Sequence, residues 1–379
     1  MPGPLQGLLV IELAGLGPAP FCGMVLADLG AEVVRIERVG GGGLLMASAE
    51  NDLLNRGKMS VAVDLKNEEG VGVVLALAAE ANALIEGYRP GVTERLGLGP
   101  AQCLARNPAL VYGRMTGWGQ EGPLAATAGH DIDYLAVSGA LHSIGPEDRP
   151  IPPLNLVADF GGGGMLLALG VLAGIFHARE TGEGQIVDAA MIDGAALLMA
   201  SHHGYLADGW WRPERESNLL DGAAPFYTTY ETSEGAHVAV GALEPQFFSA
   251  LLDRLDIDPA EVGPQNDRDG WPAMRQRFAT RFKQRTREEW AAHFNGSDAC
   301  VAPVLSMAEA PAHEHNRLRS TFVEIQGVVQ PGPAPRFSAS PASIGSPPPL
   351  PGSGTDQVLA AAGFSLEEIG KLREAGAIA

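Results

Sequence analysis

Short apolar runs, glycine-containing loops and helical segments alternate along the first forty residues. Residues 8–13 form an apolar run typical of a buried strand, and the glycines and prolines of 15–20 interrupt it. Residues 21–29 have helical character, Gly30 ends that helix, and 32–37 follow as a second strand. A strand–helix–strand order predicts parallel strands and therefore an α/β domain.

The same alternation continues to about residue 114. Strands are predicted at 61–65, 83–86 and 110–114, and a helix with acidic residues in its first turn is predicted at 67–80. In open parallel sheets, ligands bind beyond the carboxyl ends of the strands. The loops after these strands are therefore where we expect the functional site.

The second half of the chain has a different pattern. Residues 155–177 are apolar and helical, and 185–193 indicate a strand that continues into a helix. Further along, 227–230 and 236–240 alternate like antiparallel strands, and a helical stretch follows at 247–287. This change predicts a smaller domain of mixed α and β structure.

A chain of 379 residues is long enough for two domains. We predict a large domain, a linker, a small domain, and a return segment with C-terminal helices that pack on the large domain. Their boundaries are 1–200, 201–224, 225–320 and 321–379.

Composition narrows the class of protein. Hydrophobic residues make up 46% of the chain, which excludes global disorder, and a net charge of −19 argues against nucleic acid as a partner. Cys22, Cys103 and Cys300 are far apart and form no CxxC motif, so we expect reduced thiols rather than a disulfide or a zinc site. The chain starts without a secretory signal pattern, and the apolar run 161–176 is short and rich in glycine. We therefore expect a cytoplasmic protein without a membrane partner.

Three residues are candidates for acid–base chemistry. His130 follows a glycine and precedes a predicted helix, where an imidazole titrates near neutral pH. Asp159 lies in an apolar stretch before the glycines of 161–164, so burial should raise its pKa, and nearby backbone N–H groups could hold an oxyanion. Glu244 follows a strand and precedes a proline. For all three, helix capping or a first-turn position is the alternative interpretation.

Basic residues cluster at predicted strand ends and in the loops that follow them. They are Arg35, Arg38, Arg56, Lys58 and Arg89, which together favour an anion-binding site. Ordinary solvated surface charge is the alternative. The glycines after the first strand lack the third glycine of a dinucleotide-binding loop, and neither a Walker A nor a GxSxG motif is present.

Six short motifs occur in an order that is highly specific in combination. They are GPLQGL at 3–8, LADLGAEVVRIE at 26–37, EGYRPGVTERLG at 86–97, RMTGWGQ at 114–120, AGHDIDY at 128–134 and PPLNLVAD at 152–159. On these motifs the chain resembles the family III CoA-transferase superfamily from about residue 2 to 345. Within the superfamily it is most similar to the enzymes that racemise 2-methylacyl-CoA thioesters.

The resemblance implies a fold and a substrate. The implied fold is a Rossmann-like large domain with a parallel sheet plus a smaller α+β domain, in an interlocked homodimer. The implied active site lies where the large domain of one chain meets the small domain of its partner. The implied substrate is an acyl-CoA thioester, and no cofactor or metal is expected.

The resemblance also implies residue roles. His130 and Asp159 match the catalytic residues, and Glu244 matches the glutamate that partners the histidine. Arg38, Arg56 and Arg89 match positions near the nucleotide and phosphates of CoA, and we group Lys58 with them. The expected reaction moves the proton on carbon 2 between the two faces of the acyl group through an enolate.

Two alternatives stay open at this point. In a family III CoA transferase, Asp159 attacks the thioester and forms an anhydride, which needs no histidine on the opposite face. His130 together with Glu244 therefore favours the racemase. A CoA-binding protein without catalysis would keep the arginines but has no need of His130, Asp159 and Glu244 together.

Overall fold

The computed structural model describes residues 3–41 and 48–379. Contacts divide the chain into two compact units. Unit 1 comprises Met1–Ser138, Leu154–Leu198 and Arg317–Ala379. Unit 2 comprises Gly139–Pro153 and Met199–Asn316.

Within the described residues, the strands form three sheets. In chain order they are β1 Leu9–Leu13, β2 Glu32–Glu37, β3 Met59–Ala62, β4 Ala83–Glu86, β5 Val111–Thr116, β6 Gln185–Ala190, β7 Tyr227–Glu231, β8 His237–Gly241, β9 Val301–Pro303, β10 Phe322–Ile325 and β11 Val328–Pro331.

The α-helices connect and cover these strands. In chain order they are α1 Pro18–Asp28, α2 Glu68–Glu80, α3 Val92–Arg95, α4 Pro100–Arg106, α5 Asp131–Val137, α6 Met165–Thr181, α7 Met191–Leu198, α8 Ala200–Ala207, α9 Pro245–Arg254, α10 Pro259–Val262, α11 Trp271–Phe282, α12 Arg287–Phe294, α13 Glu314–Leu318, α14 Thr355–Ala361 and α15 Leu366–Glu374. A π-helical segment, Leu156–Gly164, runs directly into α6.

The main sheet belongs to unit 1 and confirms the α/β prediction. Its strand order is β3-β2-β1-β4-β5-β6, and every neighbouring pair is parallel. This is the order of doubly wound sheets, in which the chain reverses direction across the sheet between the first and fourth strands. The crevice outside the carboxyl ends of β1 and β4 is therefore the expected ligand position.

The hydrophobic core of unit 1 includes residues of the C-terminal helices. Apolar residues of α2, including Val74 and Leu77, pack in one buried cluster with residues of the main sheet. Val358, Leu359 and Ile369 of the C-terminal helices join the same cluster. Burial of their side chains is the main force that holds these helices on the sheet.

Unit 2 is built on the antiparallel sheet β7-β8-β9 and an aromatic core. Phe226, Tyr230, Phe278 and Phe282 are buried there, and the Tyr230 and Phe282 rings stack with centroids 5.0 Å apart. Such aromatic pairs contribute about 0.5–1.5 kcal/mol beyond the area that they bury.

The observed unit boundaries differ from the predicted domain boundaries at two segments. Residues 139–153 were assigned to the large domain and 201–224 to a linker, whereas the contacts group both with unit 2. Arg215 explains the grouping, because its guanidinium donates to the carbonyl oxygens of His142, Pro146 and Glu147. Helix α8 also lies where a linker was expected.

The helical stretch predicted at 247–287 is three separate helices, α9, α10 and α11. The Asp258 side chain caps α10, and Gly263, with a φ of 72°, ends it. A polar cap and a left-handed glycine outweigh the helical propensity of the surrounding residues.

Candidate active site

The loop after β1 brings the chain to the switch point of the main sheet. Gly17 lies in this loop with a φ of 66°, just before α1. A Cβ atom added to Gly17 would lie 3.5 Å from Oδ2 of Asp159. The glycine therefore lets the loop pass close to the Asp159 carboxylate, in the region where doubly wound sheets bind ligands.

His130 caps the N-terminus of α5. Its backbone N–H donates to Oδ2 of Asp133 at 2.9 Å, which fixes the first turn of the helix. The residue itself is exposed. Sequence reasoning offered capping and catalysis as alternatives, and this geometry allows both, because the backbone makes the cap while the imidazole stays accessible.

Asp159 is half-buried in the π-helical segment, a type of helix that is frequent at functional sites. Asn155 Nδ2 donates to its Oδ2 at 3.2 Å. Burial raises the pKa of Asp159, the Asn155 hydrogen bond lowers it, the Asp131 charge raises it and His130 lowers it. His130 thus lies within electrostatic reach of Asp159.

Asp131 links the two segments that carry these residues. Its Oδ2 accepts hydrogen bonds from the backbone N–H groups of Ala158 and Asp159, both at 2.8 Å. We expected N–H groups near Asp159 to hold an oxyanion, and for these two that expectation is wrong because Asp131 already occupies them. Sequence reasoning assigned Asp131 no role, although an acid between a candidate histidine and a helix was a signal.

Tyr134 packs beneath the same turn. Its hydroxyl donates to the carbonyl oxygen of Gly129, and its ring meets Trp118 edge to face at 4.8 Å. Burial, followed by the charge of Asp159, raises the pKa of Tyr134 to about 12, while Arg89 acts in the opposite direction. Arg89 therefore lies in the same neighbourhood as Asp159.

The four glycines after Asp159 serve helix packing. A Cβ atom on Gly162 would lie 2.8 Å from the backbone nitrogen of Ala195, and one on Gly194 would collide with the carbonyl oxygen of Gly162. The π-helical segment thus touches α7 backbone to backbone. These glycines thus leave room for a neighbouring helix.

Two of the basic residues predicted to bind CoA are buried in ion pairs. The Arg56 guanidinium binds Asp28 at 2.6 Å and also donates to Gln330 and the carbonyl oxygen of Pro331. Lys58 Nζ binds Oε2 of Glu12 at 2.7 Å. Their charges are neutralised inside unit 1, so the structure presents neither Arg56 nor Lys58 to a ligand, and this part of the prediction needs correction.

Arg35 has the same structural character. Its guanidinium pairs with Glu12 and Glu37 and donates to the carbonyl oxygen of Gly15 at 3.3 Å. It therefore holds the loop after β1 in place. Arg38 and Arg89, by contrast, are exposed in the loops after β2 and β4 and pair with no carboxylate of residues 3–41 and 48–379.

Glu244 belongs to unit 2, where it is the residue before α9. Its carbonyl oxygen accepts the N–H of Phe248 at 2.9 Å, so its backbone starts the helix. It lies near Cys300, the one exposed cysteine of the three, whose pKa is raised by burial and then by the charge of Glu244. Within the described part of the chain, no group of three or more His, Cys, Asp or Glu side chains is arranged to hold a metal ion.

Comparison with known proteins agrees with this architecture. Residues 5–355 match the model of CoA-transferase family III. The chain is 46% identical to "Alpha-methylacyl-CoA racemase" of Mus musculus over 96% of this chain and 95% of that protein. It is 44% identical to the Homo sapiens protein of the same name, over 97% and 96% of the two chains.

Among solved structures, a CAIB/BAIF family protein from Brucella suis superposes with a TM-score of 0.82 at 27% identity. The match covers 96% of this chain and 100% of that chain. Sequence and structure therefore lead to the same assignment: the chain belongs to CoA-transferase family III.

Proposed function

We propose that the protein is a 2-methylacyl-CoA racemase, which interconverts the (R) and (S) thioesters by moving the proton on carbon 2. The observation that carries the proposal is that Asp131, the residue after His130, binds the backbone of Asp159, so that His130 and Asp159 lie in one neighbourhood near the loop after β1. Near-full-length similarity to two proteins named as racemases supports it.

In the proposed reaction, one of the two side chains removes the carbon 2 proton and leaves the enolate of the thioester. The other side chain then delivers a proton to the opposite face, and the roles reverse for the other isomer. Each residue must therefore act as both acid and base, which is most efficient when their pKa values are close. Burial raises the pKa of Asp159, which favours its action as an acid as well as a base. Proton transfer of this kind needs no cofactor.

Arg38 and Arg89 are the residues that we propose to hold the phosphates of CoA. Both lie in loops after parallel strands, and Arg89 acts on Tyr134 next to Asp159. Exposed guanidinium groups bind phosphate oxygens through paired hydrogen bonds. Arg56 and Lys58 have no part in this proposal.

We further propose that the active enzyme is an interlocked homodimer in which Glu244 of the partner subunit orients His130. Unit 1 leaves large apolar side chains exposed on α6 and α7, and Leu169 and Phe176 are 64% and 71% exposed. The segment Leu156–Thr181 is long and apolar enough to cross a membrane, and only 39% of its most apolar 18 residues is buried. A second copy that covers this surface would keep the enzyme cytoplasmic, away from a membrane.

CoA transfer is the alternative, and the family's own description favours it. In that reaction the Asp159 carboxylate attacks the thioester carbonyl, releases CoA and forms a mixed anhydride. The released CoA thiolate then attacks the Asp159 carbonyl of the anhydride, expels the donor acid as a carboxylate and leaves CoA on Asp159 as a thioester. An acceptor carboxylate takes up this CoA through the same two steps in reverse, which restores the Asp159 carboxylate. This chemistry gives no role to His130, which is why the racemase is the better proposal.

Deuterium uptake separates the two reactions. The purified protein is incubated in heavy water with one isomer of a 2-methylacyl-CoA and without an acceptor acid. The racemase incorporates deuterium at carbon 2 as optical purity falls. If nothing exchanges, and a free carboxylic acid instead yields a new CoA thioester, the protein is a transferase.

The homodimer is tested separately by charge substitution on α6. Phe176→Glu should reduce the molecular mass in sedimentation from dimer to monomer, because a carboxylate would be desolvated at the interface. Leu366→Glu is the matched control, since Leu366 is 83% exposed on α15. A wild-type monomer, or a Phe176→Glu dimer of unchanged affinity, would contradict the proposed interface.

A further inference from the structure

Asp131 makes an unusual connection. One carboxylate oxygen accepts two backbone N–H groups, those of Ala158 and Asp159, from a segment 27 and 28 residues further along the chain. Both N–H groups lie in the first turn of the π-helical segment, where backbone donors have no partner within the helix. The side chain therefore caps the segment that carries Asp159.

The same residue follows His130 directly in the chain. A single peptide unit connects Asp131 to His130, and two hydrogen bonds connect it to the backbone of Asp159. It therefore links the chain segments that carry the two proposed proton-transfer groups. Any shift of the Asp131 side chain changes their separation, and a misplacement of 1 Å can cost about 10²-fold in rate.

The surroundings of Asp131 do not resemble those of a purely structural carboxylate. It is 5% exposed, and its Oδ1 has no hydrogen-bond partner among the described residues. No Arg or Lys of those residues forms an ion pair with it, whereas the equally buried Asp28 is bound by the Arg56 guanidinium. An uncompensated buried charge is costly. Among the described residues, the N–H groups of Ala158 and Asp159 are the groups that offset this cost, so the burial of Asp131 is tied to the segment that carries Asp159.

We propose that Asp131 is a positioning residue, whose carboxylate fixes Asp159 relative to His130 and maintains a negative charge beside Asp159. The inference rests on the proposed function, because it assumes that His130 and Asp159 exchange protons with the substrate. Asp131 does not touch the substrate in this scheme. The raised pKa of Asp159 agrees with the charge, which contributes to it after burial.

Two substitutions separate the position from the charge. Asp131→Asn is isosteric, so its amide oxygen can still accept the N–H groups of Ala158 and Asp159 while the charge is lost. Asp131→Ala removes both the hydrogen bonds and the charge. Asp28→Asn is the matched control, because it neutralises an equally buried carboxylate of unit 1 outside the site.

The experiment measures deuterium exchange at carbon 2 for wild type and the three variants, with kcat, KM, melting temperature and pH profile. Asp131→Ala should lower kcat by about 10²-fold while KM changes less than about threefold. Asp131→Asn should lose less kcat and move the acid limb to lower pH in the direction where Asp159 is the base. The other groups that face Asp159, His130 and Tyr134, are unchanged. Asp28→Asn should lower the melting temperature without moving the profile.

The outcomes are distinguishable. If the wild type does not exchange deuterium, the proposed function fails and this inference fails with it. If the wild type exchanges and both folded Asp131 variants keep its kcat within twofold and its acid limb, only the inference is overturned. The inference is also overturned if the activity of the Asp131 variants falls only in proportion to their folded fraction, which is the behaviour expected of Asp28→Asn. Should Asp131→Ala not fold, the pH profile of the isosteric Asp131→Asn decides.

Discussion

Glu12 and Asp131 are both buried carboxylates of unit 1, and their partners differ completely. Glu12 lies within β1, where Arg35 binds one of its oxygens and Lys58 binds the other at 2.7 Å. Asp131 binds only backbone N–H groups through one oxygen, and the other oxygen has no partner among the described residues. Glu12 and its two cations form a compensated cluster, whereas no Arg or Lys of the described residues pairs with Asp131.

The comparison shows what distinguishes a structural charge from a functional one here. Basic residues near strand ends suggested an anion-binding site. Arg35 of β2 and Lys58, just before β3, instead converge on Glu12 of β1. A compensated cluster fixes the register of the sheet and has no capacity left for a ligand. Asp131, which pairs with no cation of the described residues, lies beside Asp159, where we propose that its carboxylate acts on the chemistry.

The largest expected effect concerns the two proposed proton-transfer groups beside Asp131. His130→Ala and Asp159→Ala should each reduce deuterium exchange at carbon 2 by about 10²–10⁴-fold, because each removes one proton-transfer group. The melting temperature should change little, since neither side chain is fully buried. His313→Ala, at another exposed histidine, is the control. Wild-type exchange in either active-site variant would refute the two-base scheme.

The compensated cluster should show the opposite behaviour. Lys58→Met leaves Glu12 with a single cation, so the free energy of unfolding should fall by about 3–5 kcal/mol while exchange per folded enzyme is retained. Chemical denaturation at fixed protein concentration measures the loss. Lys371→Met, in an exposed pair with Glu367, should be without effect. A raised KM with unchanged stability would instead restore Lys58 to the CoA site.

A third test moves Asp159 without changing it. In Gly194→Ala the added methyl group collides with the carbonyl oxygen of Gly162 and separates α7 from the π-helical segment. The free energy of unfolding should fall by about 1–3 kcal/mol, and deuterium exchange at carbon 2 should fall with it. Gly72→Ala in α2 is the matched control, because its Cβ meets no described atom within 4 Å and should stabilise the helix by about 0.5–1 kcal/mol. Full activity in Gly194→Ala would show that the site tolerates displacement of the π-helical segment.

Local sequence patterns predicted what depends on neighbouring residues. The strands at 9–13, 32–37 and 83–86 were predicted within a residue because buried parallel strands are continuous apolar runs. The fate of Arg56 and Lys58 was not predictable in this way. Their carboxylate partners lie 28 and 46 residues away in sequence, and only the strand order brings them together.

The same distinction between local patterns and long-range contacts applies to the candidate site. His130 and Asp159 were found from their motifs, and the structure brings them into one neighbourhood. The role of Asp131 depends on hydrogen bonds to a segment 27 and 28 residues away, which no local pattern encodes. Glu244 lies in the other unit, so its role as the partner of His130 stays a prediction.

Glu86 is intermediate between the two clusters and gives the smallest effect. It is the last residue of β4. Arg114 Nε binds one oxygen of its carboxylate at 3.0 Å, and the backbone N–H of Tyr88 donates to the other at 2.6 Å. Burial nevertheless raises its pKa from 4.5 to about 7, so one cation does not fully compensate it. Glu94 shares the same guanidinium at 2.8 Å, which leaves Arg114 paired when Glu86 is neutral.

The sign of the pH dependence follows from this raised pKa. Between pH 4.5 and about 7 the folded protein binds a proton at Glu86 that the unfolded chain has released, so this group's contribution to stability falls as the pH rises. Glu86→Gln is neutral at every pH and lacks that loss, so its melting temperature should rise relative to wild type between pH 5 and pH 8. Glu367→Gln, at an exposed carboxylate, should run parallel to wild type. If Glu86→Gln also runs parallel, Arg114 compensates Glu86 fully, and Glu86 belongs with Glu12 rather than between it and Asp131.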